Sequence, residues 1–419
     1  MAHCRGVVTA DDVDAAAVRL RGIAALTPLH RSERLSSLTG ADVWLKREDL
    51  QPVRSYKVRG AYNLLSQVDP GRLANGAVCA SAGNHGQGVA LAGARLGVRT
   101  RVYLPRTTPR QKRERIAALG GDLVEVHLVG DTYDEAATAA LDDVSATGAL
   151  WVPAFDAEQT IAGQGTVARE VVEQLGRAPE LLVVPCGGGG LLAGSLTWTT
   201  ERAPATRVVG VEPAGAASMR AALEAGRPVP LESLDGFVDG AAVRQVGALT
   251  YPVVAASGAQ VVTADEGRLC TEMLALYQTE GIIAEPAGAL ATAALGEAVR
   301  PEPGSCVVCV VSGGNNDVSR YAEILERSLV HEGLKHYFLV EFPQEPGALR
   351  RFLDEVLGPD DDITRFEYVK RNNRETGPAL VGVELADRDD LAGLLQRIAA
   401  SPLRVEHLVP GSALYAFVS

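Results

Sequence analysis

Four short loops carry residue types from which a chemistry can be assembled. In the first, Arg54-Ser55-Tyr56-Lys57-Val58-Arg59-Gly60-Ala61, Lys57 falls at the expected start of a helix. There the helix dipole and the flanking Arg54 and Arg59 disfavour an ammonium and should lower the amine's pKa. A poised amine is what Schiff-base chemistry requires. The plainer alternative makes Lys46, Lys57 and the arginines a solvated basic face, and residue type alone favours it, since most lysines lie at the surface. In the second loop, Ser81-Ala82-Gly83-Asn84-His85-Gly86-Gln87-Gly88, small residues admit a ligand to the backbone. Successive N–H groups there can form a nest for a carboxylate. A tight turn capped by Asn84 would explain the glycines, but not the whole polar run.

The third loop, Pro185-Cys186-Gly187-Gly188-Gly189-Gly190-Leu191, has four consecutive glycines between an apolar run and a helical pattern. Glycine is costly to order, and such a run makes best sense as a phosphate cradle at a helix N-terminus. A dinucleotide site is a rival: Gly188-x-Gly190-x-x-Ala193 fits that fingerprint, with Glu212 placed for a ribose. It lacks the third glycine and falls in mid-chain. The fourth loop, Ser312-Gly313-Gly314-Asn315-Asn316-Asp317, puts a hydroxyl immediately after the run CVVCVV, unless it is a simple Asn-Gly turn. No Ser/His/Asp triad, P-loop or metal-ligand cluster is legible.

The elements that must position these loops follow from the hydrophobic pattern. From about residue 10 to 325, apolar runs such as AVCA (77–80), RVYL (101–104), LLVVPC (181–186), RVVGVE (207–212) and CVVCVV (306–311) alternate with segments of helical spacing. That is the grammar of βα units and predicts a doubly wound α/β core. Each loop then lies at the C-terminal end of a strand, or just beyond one, where open α/β sheets bind ligands. Beyond SRYAEILERSLVHEG the grammar changes. HYFLVEF (336–342), a helix from Pro346-Gly347 with Leu349, Phe352, Leu353, Val356 and Leu357 on one stripe, two strands, a helix with Leu391, Leu394, Leu395 and Ile398, and RVEHLV give βαββαβ. This is a separate ferredoxin-like domain. The expected domains are 1–325, with a smaller subdomain at roughly 50–150, and 334–419.

Composition excludes several partners. The 419 residues carry 52 acidic and 40 basic side chains, a net charge of −12, with no basic run. Nucleic acids and anionic membrane surfaces are therefore poor partners. Leu181–Thr200, the longest uncharged apolar stretch, contains Pro185 and the four glycines, so no transmembrane span is read. The N-terminus MAHCRGVVTADDVDAAAV lacks an apolar signal segment, which makes a cytoplasmic protein the expectation. The six cysteines are scattered, and Cys306 and Cys309 sit in one apolar run on opposite strand faces. They read as buried thiols.

The motifs SYKVRGA, SAGNHGQG, GGGGLLAG, EPAGA and SGGNND, in this order and at these separations, closely resemble those of the threonine dehydratases (threonine ammonia-lyases). These are fold-type II pyridoxal-phosphate enzymes related to serine racemase. The resemblance covers nearly the whole chain, and the tail is similar to the ACT-like regulatory domain of the biosynthetic members, through EFPQEPGALRRFL and GPDDDITRFEYVKRNNRETG. It implies pyridoxal 5'-phosphate on Lys57, which later takes the substrate α-proton. Asn84 would contact the cofactor's 3'-oxygen, Gly187, Gly188, Gly189, Gly190 and Leu191 its phosphate, and Ser312 its ring nitrogen. Ser81, Ala82, Gly83, Asn84 and His85 would hold the carboxylate of L-threonine, or of L-serine.

β-Elimination would then give 2-oxobutanoate and ammonia, the first step of isoleucine biosynthesis, and a hydroxyl at Ser312 rather than a carboxylate suits it. A neutral ring is a weaker electron sink, sufficient where the β-hydroxyl drains the carbanion. The resemblance further implies isoleucine as feedback inhibitor, with valine as antagonist, near Pro346, Gly347, Ala348 and Leu349, and a homodimer or homotetramer. In racemase-like relatives a divalent-metal site follows the motif beginning at Glu212-Pro213. Here Ala214-Gly215-Ala216-Ala217-Ser218 lacks the acid, and no such metal is expected. Two alternatives stand beside this reading. A catabolic serine/threonine dehydratase or racemase shares the first-domain motifs but is disfavoured by the tail, and a non-catalytic amino-acid sensor is disfavoured by the intact Lys57. A tail that only mediates oligomerisation is a further possibility.

Overall fold

The computed structural model describes residues 8–81, 83–369, 374–410, 412, 414 and 415, and divides the chain into compact units at 1–317 and 318–419. The first unit contains two sheets. The larger has the strand order Leu29–Arg31, Asp42–Arg47, Cys306–Val311, Leu181–Pro185, Arg207–Pro213, Gln260–Ala264. All its neighbours are parallel except the first pair. The smaller, fully parallel sheet runs Val124–Leu128, Thr100–Leu104, Ala77–Ala80, Leu150–Trp151. Every residue of Cys306–Val311 and of Leu181–Pro185 is buried. Unbroken apolar runs of this kind suit parallel strands covered on both faces.

This topology decides where chemistry can occur. Asp42–Arg47, Cys306–Val311 and Leu181–Pro185 are consecutive and parallel, so the segments that leave them, carrying Lys57, Ser312 and the four glycines, emerge along one edge. In the smaller sheet, Ala77–Ala80 and Leu150–Trp151 likewise pair in parallel, so the segments that begin at Ser81 and Val152 leave the sheet side by side. The described cysteines, Cys79, Cys186, Cys270, Cys306 and Cys309, are all buried free thiols. Among the described residues no helix is long and apolar enough to cross a membrane.

The second unit is an antiparallel sheet ordered Asp362–Tyr368, Thr376–Glu384, Lys335–Pro343, Arg404–Leu408, with helices at Ala348–Glu355 and Leu391–Ala400. Helix Tyr321–His331 joins this unit, its Glu326 accepting from Tyr337 Oη at 2.6 Å. Four of the seven phenylalanines, Phe338, Phe342, Phe352 and Phe366, fill its core, with Phe342 and Phe352 edge to face at 5.3 Å. The helix stripe differs from expectation. Ala348, Phe352 and Val356 are buried, whereas Leu349 and Leu353 face outward. The sheet accepts one narrow ridge spaced by four residues, centred on Phe352, and the leucines flank it.

Candidate active site

Lys57 is the first residue of helix Lys57–Leu65, and the loop before it is held by strand-end backbone. Tyr56 N donates to Ser312 O at 3.2 Å, Gly314 N donates to Arg54 O at 2.9 Å, and Ser55 bridges Gly313. To present that carbonyl Arg54 adopts φ +55°, the one left-handed non-glycine among the described residues, at a cost of roughly 1–2 kcal/mol. Lys57 Nζ donates to Ala154 O at 3.0 Å and lies 5.4 Å from the centre of the Tyr56 ring. Burial pushes its pKa down to about 8, against the opposing pull of the Glu285 carboxylate.

The low pKa therefore has a different origin from the one the sequence suggests. Arg59 turns away from Lys57 and is fully buried, spending its donors on Glu48, Glu170 and Thr166. Lys46 is no surface residue either. It is fully buried and pairs with Glu170 at 2.7 Å. Lys46 and Arg59 therefore belong to no solvated basic face, and only Arg54 of the set is exposed.

The glycine run ends in helix Gly190–Arg202, whose N-cap Gly189 has φ +91° and makes no side-chain cap. Within the loop the carbonyl Gly188 O is fixed by Thr250 Oγ1 at 2.7 Å. A Cβ on Gly188 would enter the Phe155 ring, and one on Gly189 would come within 2.6 Å of Met219 and 2.9 Å of Thr250. Phe155 follows Ala154, the acceptor for Lys57, so one segment joins the amine to the cradle. Helix Asn84–Leu96 also starts on a glycine, Gly83, without a side-chain cap or an acid in its first turn. Helices beginning at Ala10, Tyr133 and Glu266 are instead capped by Thr9, Thr132 and Asp265. The two helices leave their first N–H groups without a side-chain cap, which is the arrangement an anion at a helix N-terminus requires.

Around Asn84 the polar groups converge. Its Nδ2 donates to Glu285 Oε1 at 2.5 Å and its Oδ1 accepts from Asn315 Nδ2 at 2.6 Å. Ser312 Oγ, nearly fully buried, donates to Ala287 O at 3.2 Å, which is long for a hydroxyl. Ser81 Oγ accepts from Gly83 N at 3.3 Å, while Ala82 lies outside the described residues. His85 is brought to the site only through its backbone. Its ring is buried with Nε2 donating to Val152 O at 2.8 Å, and burial, then Lys57, holds its pKa down to about 3. The rival ribose acid, Glu212, is spent locally, accepting from Met219 N at 2.6 Å and Arg220 N at 2.9 Å. Ala154, Phe155, Glu285 and Asn315 carry no assignment from sequence. The last two lie inside EPAGA and SGGNND, where an acid before a proline and a second amide were the available signals.

The donor set fits pyridoxal phosphate: a half-buried amine of lowered pKa, a cradle that any Cβ would fill, an uncapped helix start and a carboxamide beside a strand-end hydroxyl. Residues 21–313 match the family described as pyridoxal-phosphate dependent enzyme, and residues 326–418 match the C-terminal regulatory domain of threonine dehydratase. The chain is 63% identical to L-threonine dehydratase biosynthetic IlvA of Mycobacterium tuberculosis strain H37Rv, over 97% of this chain and 95% of that one. It is 54% identical to the Corynebacterium glutamicum protein of the same name, over 100% and 97%. Among solved structures, the processed form of threonine deaminase isoform 2 from Solanum lycopersicum superposes with TM-score 0.71 at 36% identity, covering 77% of this chain and 96% of that one. Maize serine racemase gives 0.71 at 28%, covering 78% and 99%. The chain belongs to the threonine dehydratases, fold-type II pyridoxal-phosphate enzymes of the biosynthetic type that carry a C-terminal regulatory domain.

Proposed function

We propose that this protein converts L-threonine to 2-oxobutanoate and ammonia, the committed step toward isoleucine. The observation that carries the reading is the half-buried Lys57 amine, joined through Ala154-Phe155 to a glycine cradle and through Tyr56 to Ser312. When bound, pyridoxal phosphate supplies an electron sink beside the substrate α-carbon. Residues Gly187, Gly188, Gly189, Gly190 and Leu191 hold its phosphate through N–H groups and the helix dipole. Asn84 turns a carboxamide N–H to its ring oxygen, and Ser312 re-aims a weakly held hydroxyl hydrogen to its ring nitrogen.

The substrate carboxylate rests on N–H groups at Ser81, Ala82, Gly83, Asn84 and His85. Lys57 Nζ takes the α-proton, its lone pair freed at near-neutral pH by burial and aimed by Ala154 O. The β-hydroxyl departs protonated, and the released enamine hydrolyses. Purified protein supplied with cofactor and threonine should yield 2-oxobutanoate and ammonia in equal amounts, with serine giving pyruvate. If neither keto acid forms, the assignment fails.

Gly189→Ala tests the cradle. A side chain at φ +91° costs roughly 1–2 kcal/mol, and it must also displace both Met219 and Thr250. Cofactor affinity should fall by at least about tenfold, measured as fluorescence titration of stripped protein. An unchanged affinity would remove the phosphate from this loop.

The second unit is proposed to bind isoleucine, with valine as antagonist, at the start of helix Ala348–Glu355. Gly347 there has φ +87° and provides no side-chain cap, and the neighbouring Glu345 carboxylate is neutralised by Arg351. Pro346, Gly347, Ala348 and Leu349 are the contacts proposed. Isoleucine should raise the threonine concentration needed for half-maximal rate. Flat activity, with no shift in assembly, refutes it. A cytoplasmic homodimer or homotetramer completes the reading.

A further inference from the structure

We propose that Glu285 and Asn315 are positioning residues which hold the Asn84 carboxamide in the one orientation that leaves an N–H for the cofactor's ring oxygen. The proposal rests on the reading that Asn84 faces that oxygen. A carboxamide is nearly symmetric in shape, so nothing in its packing alone decides whether N or O points at a ligand. Here its environment decides. At one end stands Val53 O, a backbone carbonyl that can only accept. It takes a hydrogen bond at 2.8 Å from Asn315 Nδ2, so that atom is nitrogen.

The same Nδ2 lies 2.6 Å from the Asn84 side chain, and with both atoms nitrogen no bond would form. Asn84 must therefore present oxygen to Asn315. At the other end Glu285 presents carboxylate oxygen at 2.5 Å, and Asn84 must meet it with nitrogen. Two independent ends demand the same orientation. Nδ2 has two hydrogens and Glu285 takes one. The second is the hydrogen available to the ring oxygen.

Glu285 is itself fixed. It is 4% exposed and its backbone N–H donates to Gly313 O at 3.1 Å. A Cβ on Gly313 would collide with its carboxylate, which gives that glycine in SGGNND a reason of its own. Burial, then Asp239, pushes its carboxyl up to about 7, while Asn84 and Lys112 draw it down. A proton on the far oxygen still leaves Oε1 an acceptor, so the clamp does not depend on full ionisation.

The test reads the visible absorption band of the cofactor-loaded full chain and cofactor affinity by fluorescence titration. Asn84→Ala should shift the band and weaken affinity about tenfold, the worth of one hydrogen bond to a charged group. Glu285→Ala and Asn315→Asp should each move both readouts the same way, the latter by giving Val53 O and Asn84 Oδ1 an acceptor where they need a donor. Glu285→Gln, which keeps an acceptor oxygen, should restore most of both. Asn84→Ala/Glu285→Ala should match Asn84→Ala alone, because Glu285 acts only through Asn84.

If Glu285→Ala and Asn315→Asp keep the native band while Asn84→Ala moves it, the clamp is wrong and the reading of Asn84 stands. An additive double mutant also overturns the clamp. If Asn84→Ala changes neither readout, the reading of Asn84 itself fails. Should Glu285→Ala not fold, Asn315→Asp carries the decision.

Discussion

Lys57→Ala is expected to abolish both covalent cofactor attachment and turnover, with kcat reduced by at least about 10³-fold, since it removes the covalent anchor and the base together. The variant should remain folded. Lys57 makes one side-chain hydrogen bond, to a backbone carbonyl, and its replacement leaves no side chain without a hydrogen-bond partner. Pyridoxal phosphate held only through the glycine cradle should wash out on gel filtration, and the band of the native protein should be missing. Retained band and continued 2-oxobutanoate production would remove Lys57 from the chemistry.

The pH dependence has a definite sign. With the amine near 8, about a tenth of Lys57 is free base at pH 7, against less than about a thousandth for an ordinary lysine. Attachment requires the neutral amine. Reloading of stripped wild-type protein should therefore accelerate as pH rises toward 8 and level off above it. Acceleration continuing unbroken to pH 10 would show an ordinary exposed lysine.

How much of this was legible beforehand differs by residue, for physical reasons. The loops at strand ends follow from unbroken apolar runs, and Cys306–Val311 and Leu181–Pro185 form as their patterns dictate. Lys57 was legible as an amine at a helix start, but the cause of its low pKa was not. Desolvation depends on what packs around it, whereas sequence displays only neighbours, hence the misplaced emphasis on Arg54 and Arg59. The ring of His85 finds Val152 O across the sheet, a contact between residues 67 apart, which leaves only its backbone for the proposed nest. Glu285 and Asn84 are 201 apart and meet at one atom pair. Motifs reveal that such residues are chemically apt, and only the fold reveals which of them touch. The outward turn of Leu349 and Leu353 has the same origin, since a helical stripe is wider than the ridge one sheet accepts.

Arg59→Leu is expected to cost about 3–5 kcal/mol of unfolding free energy, a large share of the ~5–15 kcal/mol typical of a folded domain. Arg59 is fully buried and all five of its N–H donors are used: Nε on Glu48 at 2.8 Å, Nη1 on Glu170 at 2.6 Å and Thr166 at 3.1 Å, Nη2 on both carboxylates at 2.9 and 2.8 Å. With Lys46 the cluster balances two cations against two anions. Leucine would leave two carboxylates, Glu48 fully buried and Glu170 partly so, facing one ammonium. Arg59→Lys should recover little, because an ammonium cannot reproduce the planar fork.

The deficit should also depend on pH. In the wild type, burial alone would raise Glu48, but Arg59 and Lys46 overcome it and hold the carboxyl below its ordinary value. Its contribution to stability is then present above pH ~4.5 and lost as pH falls through that depressed value. Without Arg59 burial prevails and Glu48 takes up a proton well above its ordinary value, which relieves the mutant as pH falls. Denaturant unfolding should thus show the largest gap between the two proteins near pH 7–8 and a smaller one near pH 5, and a pH-independent gap would reduce the role of Arg59 to packing. Because Arg59 stands two residues beyond Lys57 on one helix, the same loss should loosen the start of that helix. The buried ion cluster thereby ties the stability of the fold to the aim of the amine.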